Sequence, residues 1–384
     1  MKARSLPAPQ ELLAMPASEG ARRVALALLD AVADTRPRLD DRSDAEALHD
    51  FRVALRRLRS WIRAFQVELH GSIKKKHRLR LRTLSHEAGV ARDAQVHVAW
   101  LRAVDEELRP RERAGAEWLL TRLTAQQDTA DASLRSTVAE MYDAEVSGLG
   151  EDLAVYTVRV DLRKPVPAPT LRQAISPLIL TQAAALRERL AGVQSIQDQA
   201  VAHAARIAGK RLRYLLEPIG DAVQGAPELV KRLRALQDTI GEMHDVHVMA
   251  EEVIRAAEEA GAERGRLAAT ALLEAGDNGV HRRREDDPRP GLLAIATKLR
   301  DRAHRAFSAM EQQWIGLHAA DLTHAAQALA AQLGNVEVVA TAMLEPVDAG
   351  DRAGACPAEA TLEAPVAPGR TAAPATNLEE QGSV

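Results

Sequence analysis

Apolar residues recur at helical spacing through most of the chain, and the stretch from His49 to Phe65 shows the pattern most plainly. At 100° per residue, Phe51, Leu55, Leu58, Ile62 and Phe65 share one arc and predict the buried face of a helix. His49, Arg52, Arg56, Arg59 and Arg63 fall on a narrow stripe beside that arc, and only Arg57 leaves it. No acid stands between Asp50 and Glu68. A solvated helix face usually mixes signs, because like charges one turn apart destabilise by roughly 0.2–0.5 kcal/mol per pair. An unmixed basic stripe therefore costs stability unless something anionic lies against it.

The pattern occurs twice. His203-Ala204-Ala205-Arg206-Ile207-Ala208-Gly209-Lys210-Arg211-Leu212-Arg213-Tyr214 aligns with His49 through Ser60 at an offset of 154. His203 matches His49, Arg206 matches Arg52, Lys210 matches Arg56, and Arg211-Leu212-Arg213 repeat Arg57-Leu58-Arg59. A second basic segment follows each stripe. Lys74 to Leu84, with Arg80 and Arg82, leads to Gly89-Val90-Ala91-Arg92-Asp93; Lys231 to Leu236, with Arg232 and Arg234, leads to Gly241-Glu242-Met243-His244-Asp245. The offset there is 152, a change that the loop of a duplicated helical hairpin tolerates. The repeat unit predicts a basic helix, a turn, and a second basic helix ending in a Gly-x-x-[Arg/His]-Asp turn.

Taken in order, residues 1–19 are rich in Pro, Ala and Ser and predict a flexible N-terminal arm. A helix is expected over 21–35, then a charged loop with Pro37, and Asp44 as cap of the first stripe helix. Gly71 should break that helix. The first helical half is expected over 20–150 and a linker over 151–170, where Pro165, Pro167 and Pro169 cluster. Strand-like content from Val155 to Val160 is short and isolated and belongs to that linker. A second helical half over 171–335 includes a loop carrying the basic run His281–Arg284. The tail over 336–384, dominated by Pro, Ala, Gly and acids, is expected to be disordered.

Composition sharpens this picture at a few points. Formal net charge over the 384 residues is −3, yet residues 49–92 carry +9 and residues 203–234 carry +4, which leaves −16 elsewhere. Segregation of this kind points to a local anion site rather than general adhesion to polyanions. Cys356 is the only cysteine, so neither an intrachain disulfide nor a cysteine-based zinc site can form. No signal-peptide-length or 18-residue apolar run occurs, so the expectation is a cytoplasmic protein without a membrane partner. Aromatics at 3% with abundant Ala, Leu and Arg favour an all-α fold.

At these motifs the sequence resembles the CHAD family, the conserved histidine α-helical domain. The resemblance rests on the two His-x-x-Arg-[Val/Ile]-x-x-[Arg/Lys]-Arg-Leu-Arg segments and the two Gly-x-x-[Arg/His]-Asp segments, and it covers about residues 20–335. It implies two pseudo-symmetric helical bundles around a basic central channel, and binding of inorganic polyphosphate, at times on polyphosphate granules. Carried over by position, the ligand-facing set is His49, Arg52, Arg56, Arg59, His203, Arg206, Lys210 and Arg213, with Arg80, Arg82, Arg232 and Arg234 added; Arg63 extends the first stripe. Many relatives carry a triphosphate-tunnel domain with a Glu-x-Glu-x-Lys strand, a signature missing here, so a fused phosphatase activity has no support.

The expected function is non-catalytic, with no cofactor and no metal. Asp93 and Asp245 are read as partners of stripe arginines or caps of backbone rather than acid–base catalysts. His244 and His247 sit one turn apart, but spacing alone is a weak metal signal, and Arg92 stands where His244 has its counterpart. Two other readings compete. A nucleic-acid binder could use the same helices, although scarce aromatics and the acidic balance disfavour it. A phosphoryl-transfer enzyme could use His49 or His203, but no carboxylate cluster for Mg²⁺ accompanies them.

Overall fold

The computed structural model describes residues 6–41, 43–155, 168–275 and 287–334, all within one unit spanning Met1–Val338. The protein is all-α. Its helices are α1 (Pro9–Ala14), α2 (Ala17–Thr35), α3 (Ala47–Ala64), α4 (Lys75–Asp105), α5 (Arg113–Ala154), α6 (Leu171–Ala191), α7 (Gln199–Leu216), α8 (Ala226–Ala275), α9 (Arg289–Trp314) and α10 (Leu317–Leu333). Among the described residues the only strand-like pairing is an isolated bridge between Pro16 and Thr170. No helix among them is long and apolar enough to cross a membrane.

The order short helix, basic helix, long helix, long helix runs from α2 to α5 and again from α6 to α9. In each half the two long helices pack along one another, α4 on α5 and α8 on α9. The predicted apolar arc of α3 is buried in full: Phe51, Leu55, Leu58, Ile62 and the following Phe65 are at most 3% exposed. Trp61 joins them and donates its indole N–H to the Ala21 carbonyl of α2 at 2.9 Å. The two halves share their cores. One cluster takes Phe51, Trp61 and Leu149 from the first half and Ile175, Leu212 and Leu322 from the second. A smaller cluster joins Leu101 and Leu119 to Val253 and Ile295. Burying those faces together brings α3 against α7.

Three local expectations are corrected. The flexible arm over 1–19 does not hold from residue 9 onward: α1 and the start of α2 are helical, and Leu12 and Leu13 are fully buried against α6 and the 3-10 turn Glu217–Ala222. Two isolated leucines give no periodicity, so only their tertiary seat reveals them. Asp44 precedes the helix rather than capping it; it accepts the Glu46 N–H at 3.1 Å and pairs with Arg38 at 2.7 Å. The Gly-x-x-[Arg/His]-Asp segments are not turns. Gly89–Asp93 lies inside α4 and Gly241–Asp245 inside α8. Glycine costs a helix about 1 kcal/mol relative to alanine, and packing of these long helices offsets it. α5 runs on to Ala154, past the expected start of the linker at 151, and α6 begins at Leu171. The strand-like run beyond Val155, the basic run His281–Arg284 and the tail 336–384 lie outside the described residues.

Candidate functional site

The two stripes meet because their helices do. Arg56 of α3 donates from Nε to the Tyr214 hydroxyl of α7 at 2.9 Å. Arg57 reaches Glu217, just past α7, with Nε 3.0 Å from Oε2. Arg213 and Arg234 approach the same carboxylate at 3.6 and 3.3 Å, and Arg213 also lies over the Tyr214 ring at 4.9 Å. One acid thus serves three guanidinium groups.

α4 and α8 form the floor. Arg52 donates from Nη2 to Asp93 Oδ1 at 3.1 Å, the stripe–acid pairing the motifs suggested. A Cβ at Gly89 would sit 3.8 Å from Arg52 Nε, and one at Gly241 would sit 3.4 Å from Arg206 Nη2. Each glycine leaves room for a guanidinium to lie flat on the helix, and the aspartate one turn later offers it a charge. Asp245 acts on Arg206 through space, without a hydrogen bond, and the Arg206 Nε is buried with no partner.

The electrostatics are those of crowded cations. Burial, then Arg56, Arg206, Arg52 and Arg213, holds the Lys210 ammonium well below its ordinary range. Burial also lowers Arg206, opposed by Asp245 and reinforced by Arg56 and Arg52. Among the described residues Lys210 makes no hydrogen bond or ion pair. His203 is lowered by burial, Arg206 and Lys210, and its Nδ1 is buried without a partner. Its ring lies 5.2 Å from that of His244, which burial and then Arg206, His203 and Lys210 push down to about 3. His49 is lowered by burial and by Arg92, with a smaller contribution from Arg56. His97 is lowered by burial beside Asp93 and Asp245.

A second cation group continues along α3. Arg59 is lowered to about 10 by burial together with Arg82 and Arg63. Burial lowers Arg63 as well. Arg211 is lowered to about 10 by burial, Arg63 and Arg189, so it joins the cations although helical geometry turned it off the stripe. Other expected residues stand apart. Arg80 is exposed and 3.6 Å from Glu145, Arg234 is exposed beside Glu217, and Arg232 is partly buried without an ion pair among the described residues.

Sequence reasoning missed Tyr214, Glu217, His97, Arg189 and the place of His244 beside His203. Tyr214 aligns with the ordinary Ser60, and Glu217 follows the motif, so neither carries a periodic signal. His247 turns to Glu251 at 3.3 Å rather than pairing with His244. Among the described residues no group of three or more His, Cys, Asp or Glu is placed to hold a metal ion.

Comparison with known proteins adds to this geometry. The sequence profile of the CHAD domain matches residues 23–254. The crystal structure of the CHAD domain from the plant Ricinus communis is similar, with a TM-score of 0.54 and 21% identity, covering 76% of this chain and 95% of that one. PptA from Streptomyces chartreusis is similar at a TM-score of 0.52 and 18% identity, covering 77% and 98%. Both show a shared fold. Comparison with curated proteins gives no match.

Proposed function

The chain belongs to the CHAD-domain family, and on that premise we propose that it binds inorganic polyphosphate, without catalysis, between α3 and α7. The observation that carries this reading is the placement of Arg206 and Lys210, each lowered by burial and by Arg56 and Arg52 of the facing helix. Folding cations together without matching acids is unfavourable. A polyanion with one charge on each repeating phosphate offsets that cost along the whole stripe. Arginine suits the task, since its fork donates two bonds and stays charged. Asp93 holds Arg52 in place and Asp245 acts on Arg206, while Arg59, Arg63, Arg82 and Arg211 extend the path. We place the protein in the cytoplasm, associated with polyphosphate granules.

The test is a titration with polyphosphate at two salt concentrations, with duplex DNA as competitor. Saturable binding that weakens with salt supports the proposal, because neutralising a polyanion releases its counterions. Lack of binding, or displacement by DNA at matched phosphate concentration, overturns it. Transfer of labelled phosphate to the protein would overturn the non-catalytic part.

A further inference from the structure

We propose that His244 is part of this anion site, and that the His203–His244 pair takes up a proton as the polyanion enters. The inference rests on the polyphosphate reading and deepens it. Two imidazoles 5.2 Å apart, on separate helices, sit among Arg206 and Lys210 with the buried His203 Nδ1 unpartnered. A ring nitrogen without a partner, next to an arginine whose buried Nε lacks an acceptor, describes a polar place that an acceptor-rich ligand would complete. Phosphate oxygens are acceptors with charge, and a protonated imidazole offers them a second donor.

The charged groups around the pair come from four helices. Arg206 and Lys210 of α7, Asp93 of α4 and His247 of α8 act on the pair itself, while Arg52 and Arg56 of α3, Asp245 of α8 and His97 of α4 act on Arg206, Lys210 or Asp245 beside it. In the free protein the cations and burial together keep both rings neutral at pH 7, His244 most of all. An entering polyanion reverses the sign of the local field and favours the imidazolium form. The bound state then holds more protons than the free state, so affinity rises as pH falls from 8 to 6. Asp245 is raised by burial and could take up the proton instead; the experiment separates the two.

Calorimetric titration of the full chain with long-chain polyphosphate, in two buffers of different ionisation enthalpy at pH 7, counts the protons taken up. The expected result is net uptake of up to about one proton, and affinity roughly tenfold or more higher at pH 6 than at pH 8. His244→Gln should remove most of the uptake and flatten the pH profile, while Asp245→Asn keeps both. The titrating ends of the ligand contribute equally to each protein and cancel in the comparison. Imidazole NMR resonances of the unsubstituted chain, with and without polyphosphate, give the same answer without relying on a variant that folds. Binding with no proton uptake, or uptake lost in Asp245→Asn and kept in His244→Gln, overturns the proposal and leaves the polyphosphate reading standing. No binding at any pH overturns both.

Discussion

His77 and His203 both stand on basic helices, one in each half, and their surroundings are opposite. His77, fully buried on α4, has Nδ1 2.8 Å from Glu145 and Nε2 2.8 Å from Asp152, both on α5. Both ring nitrogens thus meet a carboxylate within the chain. Lys74 adds a 2.7 Å pair to Asp152, and Lys74 and His77 together hold that carboxyl below its usual range. The cluster closes on itself and fastens the start of α4 to the end of α5. His203 has Arg206 and Lys210 as its stronger charged neighbours, with Asp93 opposing them, another imidazole beside it and a ring nitrogen with no partner. A buried basic group that meets its acid within the chain belongs to the fold. One whose acid is missing is, on the proposed function, where an external anion goes.

The comparison can be broken most directly at the open cluster. Replacing Arg206 and Lys210 together by Ala should lower polyphosphate affinity by about two to four orders of magnitude, from two charge-assisted hydrogen bonds at roughly 1.5–3 kcal/mol each. Melting temperature should hold or rise, and a binding isotherm beside a thermal melt reads both. At the closed cluster the expectation inverts. His77→Ala leaves the buried Glu145 without its hydrogen-bond partner, with only the more distant Arg80 at 3.6 Å, and should cost about 3–5 kcal/mol of stability in denaturant unfolding. Polyphosphate affinity measured well below the melting point should stay within about threefold, since the α4–α5 fastening touches no stripe residue.

Lys210→Met sharpens the contrast at a single position. It removes a cation that repels four arginines and keeps the apolar stem, so stability should rise by about 1 kcal/mol while affinity falls. A loss of stability would mean that Lys210 serves the fold. The smallest effect belongs to Glu217→Gln. Arg57 and Arg234 are more than a third exposed, so losing their pairs should cost less than about 1 kcal/mol. Freeing Arg57, Arg213 and Arg234 from one carboxylate should raise polyphosphate affinity a few-fold at low salt. Unchanged affinity would place that group outside the ligand's path.

The same contrast separates what could be read along the chain from what could not. Periodicity identified the buried face of α3 residue by residue, because a helix puts every third or fourth side chain on one side whatever it packs against. The matched motifs identified α3 with α7, and α4 with α8, for the same local reason. Charge partners obey no local rule. Asp93 is 41 residues from Arg52, Tyr214 is 158 from Arg56, and Glu217 is 160 from Arg57. Equivalent positions therefore diverge: Arg52 is paired and Arg206 is not, while Arg59 lies among cations and Arg213 beside an acid. The sequence by itself determined an all-α chain, its duplication and the faces that turn inward. Only the tertiary structure decided which cations are answered within the chain, that the glycine segments run on as helix, and that His244 lies beside His203. The strength of a charge pair depends on separation and on the dielectric around it, and both exist only once distant helices have packed.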